Sequence, residues 1–69
     1  MQSFNLNGDA HIGLDKLLKV LRLAESGGEA HNIIDSGLVK VNGTVENQRR
    51  KKLRHGDVVL YNNETIRIE

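Results

Sequence analysis

Hydrophobic residues early in the chain recur with a helical period. They occupy positions i, i+3, i+4 and i+7, which line one face of an α-helix. The residues are Leu14, Leu17, Leu18 and Leu21. Lys16 falls opposite this leucine stripe, and Lys19 falls on the polar side. The pattern predicts a helix that buries its leucines and exposes its cations.

A second helix is predicted to begin at Gly27. Ser26, followed three residues later by Glu29, matches a capping box, in which the two side chains satisfy free N–H groups at a helix start. The predicted buried face consists of Ala30, Ile33 and Ile34, and Gly37 fits the left-handed position beyond the helix end. Together the two helices form a compact helix-turn-helix.

Gly27 and Gly28 are unfavourable at the start of this helix. Each costs up to about 1 kcal/mol relative to alanine. Something must therefore favour the missing side chains, and close approach of another backbone would do so. That backbone belongs either to the first helix or to a bound nucleic acid.

Strand patterns occupy the two ends of the chain. "SFNL" near the start alternates apolar and polar residues, and a turn follows at Asn7–Asp9. Near the end, "VVLY" and "TIRI" form a predicted strand pair around Asn62-Asn63, after a turn at His55–Asp57. Leu53 is predicted to anchor the preceding segment in the core.

"LVKVNGTV" in the middle of the chain predicts a β-hairpin, since Asn42-Gly43 is a strong hairpin signal. A two-residue turn would place Val45 on the face opposite Val39 and Val41. A three-residue loop with a bulge keeps the three valines together. We therefore predict the bulged loop.

Composition narrows the class of protein. The chain has 69 residues and no cysteine, so we expect residues 1–69 to form one domain without disulfides or thiolate metal sites. It carries neither the pattern of a signal peptide nor an apolar run long enough for a membrane span. We expect a soluble, cytoplasmic protein that does not bind membranes.

Positive charge is concentrated in one segment, "NQRRKKLRHGD". We call its five cations the cationic run: Arg49, Arg50, Lys51, Lys52 and Arg54. The formal net charge of the chain is only +1, so the remainder is net negative. Fixed cations of this kind neutralise phosphates and supply sequence-independent affinity for nucleic acid.

The sequence contains no pattern typical of a catalytic site. His11, His31 and His55 lie in separate segments without metal-ligand spacing, and "SGGEA" follows a helix rather than a strand, unlike a phosphate-binding loop. We therefore predict no catalytic residues, no metal and no cofactor, and a protein that is not an enzyme.

Several partners remain open for the cationic run. Phe4 and Tyr61 are the only aromatic residues and lie in strand patterns, which argues against base stacking and favours recognition of structured nucleic acid. DNA reading is disfavoured, because only Asn32 near the start of the second helix could read bases. A protein interaction module that docks an acidic partner is the alternative, and a solvated loop is the simplest explanation of the run.

The order of elements resembles the S4 RNA-binding domain, especially its small free-standing bacterial members. The resemblance rests on "LDKLLKVLRLAESGGEAHNIIDSGLVKVNGTV" and on "KLRHGDVV", and covers about residues 14–60. It implies an α+β fold, the αL motif, with two helices packed on a small antiparallel sheet. It also implies binding of structured RNA, of the ribosomal or transfer RNA class, without catalysis.

This sequence departs from the S4 pattern on the helices. Many S4 domains have cations where this chain has Gly13, Gly27, His31 and Asn32. The free-standing members often carry "SGG" and are basic after the hairpin, which Arg49–Lys52 matches.

These arguments give a set of candidate RNA-binding residues in a monomer that could act on the ribosome. The set is Lys16, Lys19, Gly28, His31, Lys40, Arg49, Arg50, Lys51, Lys52 and Arg54. We expect the cationic run to form one positive surface with Lys19, Lys40 and His31.

Overall fold

A computed structural model describes residues 2–69 and contains two helices and seven short strands. The helices are α1 (Leu14–Val20) and α2 (Gly27–Asp35). The strands are β1 (Gln2–Phe4), β2 (Ile12–Gly13), β3 (Lys40–Val41), β4 (Thr44–Val45), β5 (Lys52–Leu53), β6 (Val58–Tyr61) and β7 (Glu64–Ile68). The predicted α+β class is confirmed.

Five strands form a sheet in the order β1-β7-β6-β3-β4, and β2 pairs with β5 in a separate two-stranded ladder. Four of the five pairings are antiparallel, including the predicted β6–β7 pair. The exception is β1, which runs parallel to β7. Parallel strands need a long crossover, and here both helices lie within it. The main sheet is therefore mixed rather than purely antiparallel.

The predicted bulged hairpin loop is wrong. Val41 pairs with Thr44 and Lys40 with Val45, which leaves only Asn42 and Gly43 in the turn. Both turn residues have positive φ, 53° and 87°, as a type I′ turn requires. This turn matches the strand twist, and Val45 is accordingly exposed on the face opposite Val41.

Helix α1 buries its leucines as predicted but is shorter than the stripe. Leu14, Leu17 and Leu18 are completely buried. The helix ends at Val20, so Leu21 is its C-cap and packs only partly against the core. Arg22 then adopts a positive φ of 61°, which turns the chain toward α2.

The predicted caps of α2 are present, with one difference. The Ser26 hydroxyl accepts a hydrogen bond from the Glu29 N–H at 3.1 Å, as in a capping box. The Glu29 carboxylate accepts one from the Glu25 N–H at 3.3 Å, rather than from Ser26. Gly37 has the predicted positive φ, 75°, beyond the helix end.

One core joins the helices to the inner face of the sheet. The residues predicted for it are buried, except Leu21, which is partly buried, and Val45, which is exposed. The predicted packing of Phe4 and Tyr61 against it is confirmed. Its fully buried large side chains are Leu14, Leu17, Leu18, Ile34, Val39, Leu53, Val59, Ile66 and Ile68. Within residues 2–69, neither helix has the length and apolar character needed to cross a membrane.

A polar link connects the β3–β4 turn to the start of β6. The Asn42 side chain accepts a hydrogen bond from the Val58 N–H at 2.9 Å and donates one to Asp57 at 3.0 Å. The second Asp57 oxygen accepts from the Arg54 N–H at 2.8 Å. Partial burial raises the pKa of Asp57, but the hydrogen bonds from Arg54 and Asn42 outweigh this effect and lower it.

Leu18→Ala tests the position of the leucine stripe. Because Leu18 is fully buried, we expect the free energy of unfolding to fall by about 2–5 kcal/mol, measured by chemical denaturation. Val20→Ala, on the exposed side of the same helix, is the matched control and should change it by no more than about 0.5 kcal/mol. Equal effects of the two substitutions would contradict the packing described here.

Candidate nucleic-acid interface

The backbone of the cationic run is fixed to the start of α1. Gly13 provides no side-chain cap for this helix. Instead, the Leu14 N–H donates to the Lys51 carbonyl at 2.9 Å, and the Asp15 N–H donates to the Arg49 carbonyl at 3.0 Å. These carbonyls satisfy two of the N–H groups that every helix start leaves free. The run is therefore a structured segment, not a loose loop.

Strand β5 holds the other end of this segment. Lys52 pairs with Gly13 of β2, and Leu53 pairs with Ile12. Leu53 is completely buried, as predicted, whereas Lys52 is exposed. Alternation along β5 thus anchors the run in the core and leaves Lys52 on the surface.

Arg49 reaches across to the C-terminal end of α2. Its guanidinium donates two hydrogen bonds to Asp35, from Nε at 3.0 Å and from Nη2 at 2.6 Å. The bond from Arg49 holds the pKa of the Asp35 carboxyl below its usual range, and the same bond raises the pKa of the guanidinium. Both side chains remain about half exposed. This two-point geometry fixes the direction of the guanidinium.

The carboxylate of Asp15, in the first turn of α1, lies close to the side chains of His31 and Arg50. His31 Nε2 lies 3.1 Å from Asp15 Oδ2, and both side chains are partly buried. Arg50 Nε lies 4.0 Å from the same oxygen, and the Arg50 side chain is 86% exposed. Arg50 is therefore near a carboxylate without being enclosed by it.

One face of α2 carries the groups that meet the run. Gly27, His31 and Asp35 are spaced at i, i+4 and i+8, so they lie along one stripe of the helix. His31 contacts α1 through Asp15, and Asp35 contacts the run through Arg49. His31 and Arg50 thus meet at Asp15, while Arg49 meets Asp35 on the same stripe of α2 as His31.

The structure excludes one explanation for the glycine pair. A Cβ atom added at Gly27 would meet nothing within 4 Å, and one at Gly28 would meet only the Ser26 hydroxyl at 3.8 Å. The first helix therefore does not require glycine at either position. The space beside the start of α2 is open.

The remaining candidate residues lie on α1, on β3 and directly after β5. Lys16 and Lys19 are exposed on α1, with Lys19 in its last turn, and Arg54 begins the turn after β5. Lys40 lies on the sheet face opposite the buried Val41. The cationic run is bonded to the helices, on the other side of the sheet, so the expected single surface of the run with Lys19, Lys40 and His31 does not extend to Lys40.

Two carboxylates of this surface, Asp15 and Asp35, were not foreseen from the sequence. An acidic residue in the first turn of a helix is a general signal and fits Asp15. Asp35 carries no comparable signal, because its partner Arg49 is fourteen positions away and approaches only in the folded chain. Across the described part of the chain, no group of three or more potential ligands is arranged to hold a metal ion.

Comparisons with known proteins agree on one family. The model of the S4 domain family matches residues 4–69. The chain is 35% identical over 68 residues to "Putative RNA-binding protein YbcJ" of Escherichia coli (strain K12), with 99% of this chain and 97% of that protein covered. "Uncharacterized protein YbcJ" of Shigella flexneri matches to the same extent.

A solved structure also matches. The solution structure of YbcJ from E. coli, described as revealing an αL ("ALFAL") motif involved in RNA-binding, superposes with a TM-score of 0.73. The identity is 35%, and the alignment covers 99% of this chain and 86% of that one.

The Arg49–Asp35 pair makes a testable prediction about titration. Because Arg49 stabilises the ionised carboxylate, Arg49→Gln should raise the pKa of Asp35 toward its ordinary value. Carboxyl chemical shifts followed by NMR through acidic pH measure this change. Arg67→Gln removes an exposed cation from β7 and should leave Asp35 unchanged. An ordinary Asp35 pKa in the unsubstituted protein would contradict the pairing.

Proposed function

The chain belongs to the S4 domain family, and we propose on this basis that it binds structured RNA without catalysing a reaction. The proposed RNA surface consists of the cationic run, the part of α2 that carries Gly28 and His31, and the exposed cations of α1. Its central residues are Arg49, Arg50, Lys51, Lys52, His31 and Gly28. Lys16, Lys19 and Arg54 extend it.

The observation that carries this proposal is the attachment of the run to α1. Two backbone hydrogen bonds and the β2–β5 ladder hold its main chain at both ends. The cations therefore project from a fixed support, so less conformational entropy is lost when they meet phosphates. A solvated loop would not need these bonds.

Recognition through phosphates and shape suits this surface better than base stacking. Phe4 and Tyr61, the two aromatic residues of the chain, pack against the core and offer no free stacking platform. Base stacking on aromatic rings is the usual means of holding unpaired bases. The available groups instead suit the regularly spaced phosphates of folded RNA.

The paired carboxylates are compatible with phosphate binding. Both side chains of the Arg49–Asp35 pair are exposed and solvent screens their attraction, so a phosphate can replace Asp35 as the partner of Arg49 at little cost. Until then, Asp35 keeps the Arg49 guanidinium at the C-terminal end of α2. Arg49 and Arg50 can both offer their remaining N–H groups to RNA.

We propose RNA of the ribosomal or transfer RNA class as the ligand, and a cytoplasmic monomer acting in translation as the biological setting. Support comes from the resemblance of the whole helix-hairpin segment to S4 domains. Co-sedimentation with purified ribosomal subunits tests the ribosomal part. Binding to isolated transfer RNA, but not to subunits, would separate the two ligands.

Arg50→Gln tests whether the run contacts phosphates. If Arg50 neutralises one phosphate, its loss should weaken binding to every structured RNA alike and flatten the log–log salt slope by roughly 0.7 to 0.9. Arg67→Gln is the matched control, because it removes an exposed arginine from the sheet. Filter binding over a range of salt concentrations measures both. Equal effects of the two substitutions would contradict the proposed surface.

A stronger variant replaces Arg49, Arg50, Lys51 and Lys52 together by glutamine. The log–log salt slope should then become flatter by about 3 units. Circular dichroism should show an unchanged fold. An acidic protein and duplex DNA serve as competitors in the same assay. A folded variant with unchanged RNA affinity would exclude the run as the RNA surface, and preferential binding of the acidic protein would favour the alternative function.

Gly28→Ala tests the open space at the start of α2. A Cβ here meets only Ser26 Oγ at 3.8 Å, so the substitution should preserve or slightly raise stability. If an RNA backbone passes over Gly28, affinity should nevertheless fall. Ala substitution at Gly43 is no suitable control, since its φ of 87° would strain alanine. Arg67→Gln, on the exposed side of β7, serves as the control here too. Unchanged affinity in Gly28→Ala would remove Gly28 from the interface.

A further inference from the structure

The sheet face turned away from the helices carries a row of aligned side chains. Val45, Lys40, Leu60 and Thr65 are direct cross-strand neighbours on β4, β3, β6 and β7. Leu38, two residues before Lys40, borders a shallow depression together with Lys40 and Leu60. We call the surface formed by Leu38, Lys40, Val45 and Leu60 the outer sheet face.

Exposed aliphatic residues are concentrated on this face. Within residues 2–69, four large hydrophobic side chains are exposed, and three of them belong to the outer sheet face: Leu38 at 58%, Val45 at 44% and Leu60 at 39%. The fourth, Val20, lies on α1. Single exposed aliphatic residues are ordinary, whereas three on one face, here around Lys40, are typical of an interaction surface.

The outer sheet face is separate from the proposed RNA surface. The opposite side of the same strands presents Val41 and Val59 to the core, which they share with both helices. The cationic run is bonded to those helices. A ligand on the outer sheet face would therefore leave the run free.

The charges of this face indicate the chemistry of its partner. Lys40 stands between Val45 and Leu60, and Arg67 lies on the same side of β7 as Thr65. Neither cation is within ion-pair distance of a carboxylate in the described chain. Phosphates would satisfy the cations but not cover the aliphatic side chains. An occupant with both carboxylates and aliphatic groups would match the whole surface.

A second copy of this chain fits poorly. A two-fold dimer places the same patch on both sides of the interface, so Lys40 would meet only the aliphatic side chains or the lysine of an identical patch and would find no carboxylate. Like charges brought together in an interface oppose association. The surface is thus complementary to another protein rather than to itself.

We propose that the outer sheet face docks a protein segment that combines acidic and aliphatic side chains. Its aliphatic groups cover Leu38, Val45 and Leu60, and a carboxylate pairs with Lys40. The proposal does not depend on RNA binding. It would allow one domain to hold RNA on its helical side and a protein partner on its sheet.

The test uses a short synthetic peptide that alternates leucine and glutamate, titrated into the ¹⁵N-labelled full chain and followed by NMR. Two matched peptides carry lysine in place of glutamate or serine in place of leucine. We expect saturable shifts at the outer sheet face with the first peptide only. Lys40→Glu should weaken binding at least about tenfold, whereas Lys19→Glu, which reverses an exposed charge on α1, should not.

Leu60→Ser and Val20→Ser provide the corresponding apolar comparison. Both residues are exposed, so both variants should fold, but only Leu60→Ser should weaken the peptide complex. The proposal is overturned if the leucine–glutamate peptide does not bind, if its shifts map to Arg49–Lys52, or if the lysine peptide binds equally well. It is also overturned if concentration-dependent shifts show self-association through this face, or if added transfer RNA shifts it directly.

Discussion

The hydrogen bonds from the start of α1 to the carbonyls of Lys51 and Arg49 organise both the fold and the candidate site. They join segments that are far apart in the sequence, and they satisfy donors that Gly13 leaves without a side-chain cap. A helix of only seven residues gains little stability from its own hydrogen bonds. It therefore depends on this attachment and on its buried leucines. The same bonds determine where the cations lie.

The site combines cations with carboxylates, which distinguishes it from a simple positive patch. Asp35 takes two N–H groups of Arg49, and Asp15 takes His31 while remaining near Arg50. The total charge of the surface is consequently lower than the sequence of the run alone indicates. In return, the two hydrogen bonds to Asp35 give the Arg49 guanidinium a defined direction before a ligand arrives.

Local patterns in the sequence were sufficient to predict much of the fold. The leucine period, the Ser26 cap and the Asn62-Asn63 turn each depend on neighbouring residues, and each is confirmed. Features set by distant segments were not predictable in this way. The parallel pairing of β1 with β7 and the Arg49–Asp35 pair arise only when the chain has folded. The hairpin error has a related origin. The bulged loop was predicted because it places Val45 on the buried side with Val39 and Val41, but Val45 lies on the outer sheet face and is exposed.

The hydrogen bonds of the Asn42 side chain restrict which residue can occupy this turn position more strongly than the turn type does. Asn-Gly and Asp-Gly are both good sequences for a type I′ turn. Here the amide must accept from the Val58 N–H with its oxygen and donate to Asp57 with its nitrogen. An aspartate could accept but, when ionised, could not donate, and it would face the Asp57 carboxylate across about the same 3.0 Å. The choice between two locally equivalent turn residues is thus made by a side chain fifteen positions away, and substitution tables built on turn type would misjudge this site.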